Sequence, residues 1–191
     1  MPSPFAHTTA GYIIYQYYKR MLPGEQARLI NLPVQLLIIA VISLLPDLDT
    51  LPGYILGDME RFHNNASHSL VVGLLAALIL SVLISRVYKS PMKVWFTVAL
   101  ISYELHVLMD YFTVGRGVML FWPFTSARFS SPIELFFGVQ WGLGYLSIWH
   151  LWTILTEAIF FLFIFVFIKL WQKYTVKTIA PDQNQDQELP G

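Results

Sequence analysis

Five apolar segments constrain the fold of this chain more than any other feature. They cover residues 5–21, 29–45, 68–85, 94–111 and 145–171. A membrane-spanning helix needs about 17 to 25 mainly apolar residues, so the second to fourth segments lie near the lower limit and the fifth exceeds it. Proline and glycine follow the first segment and proline follows the second, as expected at helix ends. We therefore predict an all-α bundle of about five helices.

The composition favours a membrane-embedded bundle over the alternative, a soluble protein with an unusually apolar surface. Hydrophobic residues make up 55% of the 191 residues and charged residues 13%, whereas a soluble domain carries about 25% charged residues. Mean hydropathy is +0.55. The formal net charge is zero, so bulk electrostatics indicates no nucleic-acid partner. The chain has no cysteine, which excludes disulfides, thiolate metal ligands and a cysteine nucleophile.

The stretch from 113 to 144 differs from the apolar segments because it is aromatic and broken by glycine and proline. We predict an interfacial or re-entrant segment there, with Trp122 and Trp141 at the lipid headgroups. The last residues, PDQNQDQELPG, are polar and predicted to be disordered. The expected organisation is a single helical membrane domain over 1–180 and a polar tail over 181–191.

Basic residues orient the predicted bundle. Nine of the twelve lie at one set of helix ends: Lys19, Arg20, Arg28, Arg86, Lys89, Lys93, Lys169, Lys173 and Lys177. The opposite ends carry Arg61, Arg116 and Arg128. By the positive-inside rule the nine mark the cytoplasmic face of a multi-pass protein, which we expect in a bacterial inner membrane.

Histidines and carboxylates collect at the other, outer end. All five histidines fall there: His7, His63, His68, His106 and His150. The acidic residues at the same end include Asp47, Asp49, Asp110 and Glu157. Ionisable groups within membrane segments are costly and usually functional. Their convergence predicts a shared site on the periplasmic side.

Residue spacing indicates what such a site would bind. His106 and Asp110 are four residues apart on one helix face and can reach one ion, and His150 and Glu157, seven apart, also share a face. Histidine and carboxylate ligands together suit zinc, with manganese or iron as alternatives. We expect two or three ions.

Other interpretations of these residues stay open at this point. Asp47 and Asp49 also suit turn and cap positions after a proline, and His63 suits a surface loop. His150 lies between two tryptophans and can pack against them, while Glu157 can pair inside the bundle.

The order of these motifs resembles the YdjM-like family of membrane-bound metal-dependent hydrolases. The matching elements are His7, PDLD at 46–49, HNNASHSL at 63–70, HVLMDYFT at 106–113 and FWPF at 121–124. The pattern is also similar to the metal site of zinc-dependent phospholipase C and related all-helical nucleases. That second resemblance implies their helical fold and a core ligand set of His7, Asp49, His68, His106 and Asp110, with His150 and Glu157 as downstream ligands. Asp47 is a further candidate ligand because of its position at the histidine-rich end.

We therefore expect a metal-dependent hydrolase of phosphoesters, phospholipase-like or phosphatase-like, with Asp49 and Asp110 as its catalytic carboxylates. Arg116, Arg128 and His63 are expected to contact the substrate, although interfacial arginines also extend to lipid headgroups without any catalytic role. Membrane lipid is the environment and a possible substrate, because the site lies at headgroup depth.

Two non-catalytic functions are alternatives to the hydrolase. A divalent-metal transporter predicts polar residues continuing through the membrane on facing helices, and the second and third segments are nearly free of them. A scaffold protein held together by a metal requires the same ligands.

Overall fold

The computed structural model describes residues 1–22, 24, 31–140, 143 and 147–179. Within these residues the regular structure is helical, apart from isolated β-bridges. The helices are α1 (Pro4–Tyr18), α2 (Leu32–Leu44), α3 (Thr50–Leu56), α4 (Met59–Phe62), α5 (Leu70–Tyr88), α6 (Met92–Tyr111) and α7 (Ile148–Ile179). Short 3-10 turns cover Lys19–Met21, Pro46–Asp49 and Ala66–His68. The predicted all-α architecture is confirmed.

Local sequence signals explain where the longer helices begin. Ser3, Asn31 and Ser69 are the N-cap residues of α1, α2 and α5, and each side chain accepts a hydrogen bond from the backbone N–H three residues later. Proline in the first turn of α1 and α2 costs no hydrogen bond, because those N–H groups have no partner within the helix.

The α5–α6 hairpin and α1 and α2 enclose the main apolar core. Tyr15, Ile39, Ile42, Ala77 and Trp95 are almost completely buried in it. The hairpin turns at Lys89, which adopts a left-handed conformation with φ of 46°. Helix α6 is the central element, because half of its apolar window is buried, against 17% for α5 and 11% for α7.

A bend at Pro46 separates α2 from the apolar segment that follows. The axes of Leu32–Leu44 and Pro46–Leu56 differ by 56°. Proline cannot continue the hydrogen-bond ladder of α2, so the chain forms a 3-10 turn through PDLD before α3 begins. The turn places Asp47 next to His106 and Asp49 next to His63, at one end of the bundle.

The aromatic segment folds over this same end of the bundle. Val118 pairs with Phe129 and Thr113 with Phe136 through single β-bridges, and the Trp122–Pro123 peptide bond is cis. Phe121, Trp122 and Phe124 are exposed, as a headgroup-level segment requires. Trp141 and the tail 181–191 lie outside the described residues.

In the described part of the chain, three helices are long and apolar enough to cross a membrane: Leu70–Tyr88, Met92–Tyr111 and Ile148–Phe167. The bent pair Leu32–Leu44 and Pro46–Leu56 is a fourth candidate if it forms one span. Helix α1 has 15 residues and is not among the candidates. The exposed leucines, isoleucines and phenylalanines of α5 and α7 are consistent with surfaces that face lipid.

Candidate metal centre

Four parts of the chain bring histidines and aspartates together at one end of the bundle. His7 lies near the start of α1, and Asp47 and Asp49 lie on the turn after α2. His63 and His68 lie in the connection to α5, and His106 and Asp110 lie near the end of α6. Because the helices alternate in direction, these positions meet although up to 103 residues separate them. Apart from the two part-buried aspartates of the turn, every member is buried.

Asp110 lies at the middle of the cluster. Its Oδ1 atom is 3.5 Å from His7 Nε2. Its Oδ2 atom is 3.1 Å from His68 Nε2 and 3.7 Å from His106 Nε2. Both Asp110 and His106 are almost fully buried. One carboxylate therefore faces three imidazole rings from three different elements.

Asp47 faces two of these rings, His68 and His106, and also the His63 ring. Its Oδ1 atom is 3.4 Å from His106 Nε2, 3.7 Å from His68 Nε2 and 3.8 Å from His63 Nδ1. These separations exceed normal hydrogen bonds, and the carboxylate oxygens of Asp47 are buried without a hydrogen-bond partner among the described residues. An acceptor held in this way fits a cation better than it fits a neighbouring N–H group.

For His106 and His68 the opposite nitrogen, Nδ1, is held by an outer contact. His106 Nδ1 lies 2.6 Å from the carbonyl oxygen of Ser43, which can only accept, so the Nε2 atom of the neutral ring is left with a lone pair. Asp49 Oδ2 lies 3.2 Å from His68 Nδ1, and Asp49 Oδ1 lies 3.1 Å from His63 Nδ1, the same His63 nitrogen that faces Asp47. Such contacts orient metal-binding histidines and fix their tautomers.

The Nε2 atoms of His68 and His106 face each other at 3.2 Å. A neutral ring that donates from Nδ1 to Ser43 has no proton on Nε2, so in this form the Nε2 atom of His106 is an acceptor that faces the cluster. His7 stacks on the His106 ring, with centroids 3.6 Å apart, and neither of its nitrogens has a hydrogen-bond partner within the described structure. The cluster thus contains more inward-facing acceptors than donors.

Among the described residues, two groups of side chains have ligand atoms close enough together to hold a metal ion. One consists of Asp47, His63, His68 and Asp110, and the other of His7, His106 and Asp110. In each group the ligand atoms all lie within 4.8 Å of one another. The two groups share Asp110. The buried acceptors without partners among the described residues fit a divalent cation.

Burial sets the protonation state of His7. Desolvation, and after it the neighbouring His106, lowers the pKa of His7 to about 4. The ring is therefore neutral at pH 7, which is the form that binds metal. For His68 burial acts in the same direction, but the carboxylates of Asp110, Asp47 and Asp49 outweigh it and raise its pKa well above 6.5. These three carboxylates carry negative charge that either a proton on His68 or a bound cation would compensate.

Two arginines hold the loop that carries His63. Arg116 donates to the carbonyl oxygen of His63. Arg128 donates from Nη1 to the carbonyl oxygens of Asn64 at 2.8 Å and Gly117 at 3.1 Å, and from Nη2 to the side chain of Asn65. We predicted both arginines as substrate contacts. The structure gives each a structural contact, and it places the His63 ring, which was also predicted to contact substrate, among the ligand groups.

The two predicted downstream ligands are not members of these groups. Glu157 is buried, but its carboxylate accepts hydrogen bonds from the backbone N–H of Ser3 at 2.6 Å and from the Ser3 hydroxyl at 2.5 Å. It therefore ties α7 to the start of α1. His150 is half-buried near the start of α7. In the described part of the chain neither residue joins a ligand group.

Several contributors were not predicted from the sequence. The Ser43 carbonyl holds His106, and the Ser67 hydroxyl donates to Asp49 Oδ2 at 2.6 Å. Tyr103, one turn before His106, donates through its hydroxyl to the Ser67 carbonyl at 2.6 Å. A backbone carbonyl carries no signal in the sequence. Ser67 could have been found, because it directly precedes His68 in the HSL motif.

Comparison with known proteins identifies the family. The family model described as YdjM inner membrane protein matches residues 1–177. The chain belongs to the YdjM inner membrane protein family. The family description and the three apolar helices together make this a membrane protein. No curated protein matches, and no solved structure matches, so the resemblance to the phospholipase C fold stays a prediction.

Proposed function

We propose that this YdjM-family protein is a membrane-bound metal-dependent hydrolase of phosphoesters. The observation that carries the proposal is the buried cluster in which two ligand groups share Asp110. Sites for two metal ions are common in enzymes that cleave phosphoesters. The histidine and carboxylate set suits zinc best, with manganese or iron as alternatives.

In this proposal the chain's own residues have three tasks. Asp47, His63 and His68 would hold one ion, His7 and His106 would hold another, and Asp110 belongs to both ligand groups. Asp49 is a positioning residue, because its carboxylate contacts Nδ1 of His63 and Nδ1 of His68 and orients both rings. A divalent ion bound there would lower the pKa of a coordinated water and neutralise negative charge on the phosphoester oxygens.

A small cavity with a mixed polar and apolar lining supports access to the cluster from outside. It has a volume of about 170 Å³ and is lined by residues that include His63, Asn64, Arg116 and Gln140. The mixed lining and the nearby guanidinium suit an anionic group. Because His63 belongs to both the cavity and a ligand group, a phosphate in this cavity would lie beside the metal centre.

The basic residues indicate on which side of the membrane the metal centre lies. Lys89 and Lys93 flank the α5–α6 turn, at the end of the bundle opposite His68 and His106. We infer that this turn is cytoplasmic and that the metal centre faces the periplasm. Reporter fusions after Ser90 and after α7 test the orientation, and a periplasmic signal at both would overturn it.

The first experiment is elemental analysis of the detergent-purified protein, with His106→Ala and Asp110→Ala beside the wild type. We expect about two equivalents of zinc or manganese in the wild type, and a loss of metal in both variants. The same preparations are then assayed for hydrolysis of bis(4-nitrophenyl) phosphate, with a chelator-treated sample as control. Absence of bound metal after addition of zinc or manganese would refute the proposal.

The same experiment separates catalysis from a purely structural metal. A metal that only holds the helices together predicts normal metal content and a melting temperature that falls on chelation, without hydrolysis of any phosphoester. The near-complete burial of His7, His68, His106 and Asp110 is the observation that favours this second function. Metal-dependent turnover that is lost in Asp110→Ala would exclude it.

A further inference from the structure

A second cavity lies beside the metal centre and has a different character. Its volume is about 340 Å³, and it lies between α1, α6 and α7, with Leu135 and Phe136 of the aromatic segment. Every residue that lines it is apolar. Small-molecule sites of this size normally include a few polar groups that orient the ligand. A wholly apolar lining instead suits a ligand part that has no polar atoms.

The cavity begins at the level of the metal centre. Ala10 in its wall lies three residues after His7 on α1, and Met109 in its wall directly precedes Asp110 on α6. Three helical residues correspond to a rise of about 4.5 Å. One end of the cavity is therefore within about one helical turn of both ligand groups.

The cavity lies alongside the centre and extends past it along α1. On the α6 side it is lined from Leu105 to Phe112, a rise of about 10 Å that includes the level of His106 and Asp110. On α1 the lining continues from Ala10 to Ile14, away from His7. The described residues that line the cavity all lie outside the ligand groups. The cavity is therefore an apolar space at the level of the ligands.

Two walls of the cavity belong to candidate membrane spans, α6 and α7. Only 11% of the apolar window of α7 is buried, and Phe160 and Phe161 pack against the buried Ala10, Met109 and Phe136. Leu108 and Leu135 in the lining are about half exposed. A hydrocarbon chain could therefore enter from the bilayer between α6 and α7.

The volume indicates how much chain would fit. An apolar cavity of about 150 Å³ holds one benzene, which has six carbons. By the same measure the 340 Å³ here accommodates roughly a dozen carbons. That is enough for much of one hydrocarbon chain, and too little for two.

We propose that this cavity binds one hydrocarbon chain of a lipid phosphoester whose phosphate group lies at the metal centre. The inference rests on the proposed function and names its substrate class: a lipid held through a single chain rather than a free, water-soluble phosphoester. Burial of each methylene group is favourable, so the chain would supply most of the substrate's affinity while the polar end is positioned for cleavage.

The test compares two phosphodiesters with the same leaving group, dodecyl 4-nitrophenyl phosphate and ethyl 4-nitrophenyl phosphate. The readout is the ratio of their kcat/KM values. In the wild type we expect a ratio of about 100 or more in favour of the dodecyl ester. Partition of the dodecyl ester into detergent micelles affects every variant equally, so differences in the ratio between variants report on the protein.

Two tryptophan substitutions on α7 form a matched pair. Ile164→Trp adds bulk to the cavity wall, whereas Leu162→Trp adds the same residue to a side chain that is 62% exposed and outside the lining. We expect the ratio to fall at least tenfold in Ile164→Trp and to stay at the wild-type value in Leu162→Trp. An equal ratio in the two variants would overturn the inference and leave the hydrolase proposal standing.

A binding readout keeps the inference testable if neither ester is cleaved, a result that would refute the proposed function. The melting temperature is then measured with dodecyl phosphate and with inorganic phosphate as probes. A larger rise with dodecyl phosphate in the wild type and in Leu162→Trp than in Ile164→Trp would support the chain site. Equal rises in all three proteins would overturn it.

Discussion

Replacing Asp49 by asparagine should weaken metal binding without removing a metal ion. The Asp49 carboxylate contacts His63 Nδ1 at 3.1 Å, His68 Nδ1 at 3.2 Å and the Ser67 hydroxyl at 2.6 Å. Asparagine has nearly the same shape, but one of its two polar atoms becomes a donor. The orienting contact to at least one ring is lost, while the inward-facing ligand atoms remain.

The expected magnitude follows from the role of such outer contacts. Loss of a group that orients a metal-binding histidine typically lowers metal affinity 10- to 100-fold, or about 1.4 to 2.7 kcal/mol. Asp110→Asn should behave differently, because Asp110 belongs to both ligand groups. We expect that variant to lose most of its metal content, whereas Asp49→Asn still reaches the wild-type stoichiometry at saturating zinc.

The assay is zinc competition against a chelator of known affinity, combined with elemental analysis after equilibration at several free zinc concentrations. Asp58→Asn is the matched control: it is the same substitution at an exposed residue, outside both ligand groups, that accepts from the backbone N–H of Arg61. It should bind zinc like the wild type. If Asp49→Asn loses an ion at every zinc concentration, Asp49 is itself a ligand and the reasoning is wrong.

Three further predictions concern the surroundings of the centre. Glu157→Ala should lower the free energy of unfolding by roughly 1–3 kcal/mol, because the buried backbone N–H and hydroxyl of Ser3 lose their acceptor. The metal content should stay unchanged. Melting curves check the stability, and elemental analysis checks the metal content. Gly11→Ala places a Cβ atom 2.0 Å from Ser43 Oγ, so it should cost about 1–3 kcal/mol, and adding Ser43→Ala should recover most of that loss in chemical denaturation. Arg128→Ala should weaken zinc binding without changing its stoichiometry, because the loop that carries His63 loses its clamp, as zinc titration would reveal.

Each of these predictions has an outcome that contradicts it. Loss of metal in Glu157→Ala would make that residue a ligand, as the sequence predicted. A Gly11→Ala protein of wild-type stability would mean that α1 and α2 separate at no cost. Loss of an ion in Arg128→Ala would mean that the arginine determines whether the ligands assemble at all.

The location of the centre was predictable because helices in a membrane bundle alternate in direction. With that constraint, the position of a residue along its helix determines which end of the bundle it occupies. His7, His68, His106 and Asp110 were assigned to one end from the sequence, and the structure brings them within contact distance. The pairing of His106 with Asp110 needed only the four-residue helical repeat.

The same reasoning placed Glu157 at the correct end but in the wrong environment. A position along a helix says nothing about which neighbour a side chain meets across the bundle. Glu157 is buried against Ser3, and that contact depends on how α7 packs against the start of α1. The separation between Asp47, which faces the rings, and Asp49, which orients two of them, likewise depends on the bend of 56° after α2.

The sequence by itself determined the helical class, the apolar segments suited to a membrane and the end of the bundle where the histidines and aspartates collect. These properties follow from hydrophobicity, helical periodicity and alternation, which act along the chain. Only the tertiary structure decided which atoms face the centre, which carbonyl and carboxylate groups orient the rings, and that an apolar cavity begins beside the ligands. Those features arise where helices distant in the sequence pack together, and short-range patterns do not encode the angle and depth of that packing.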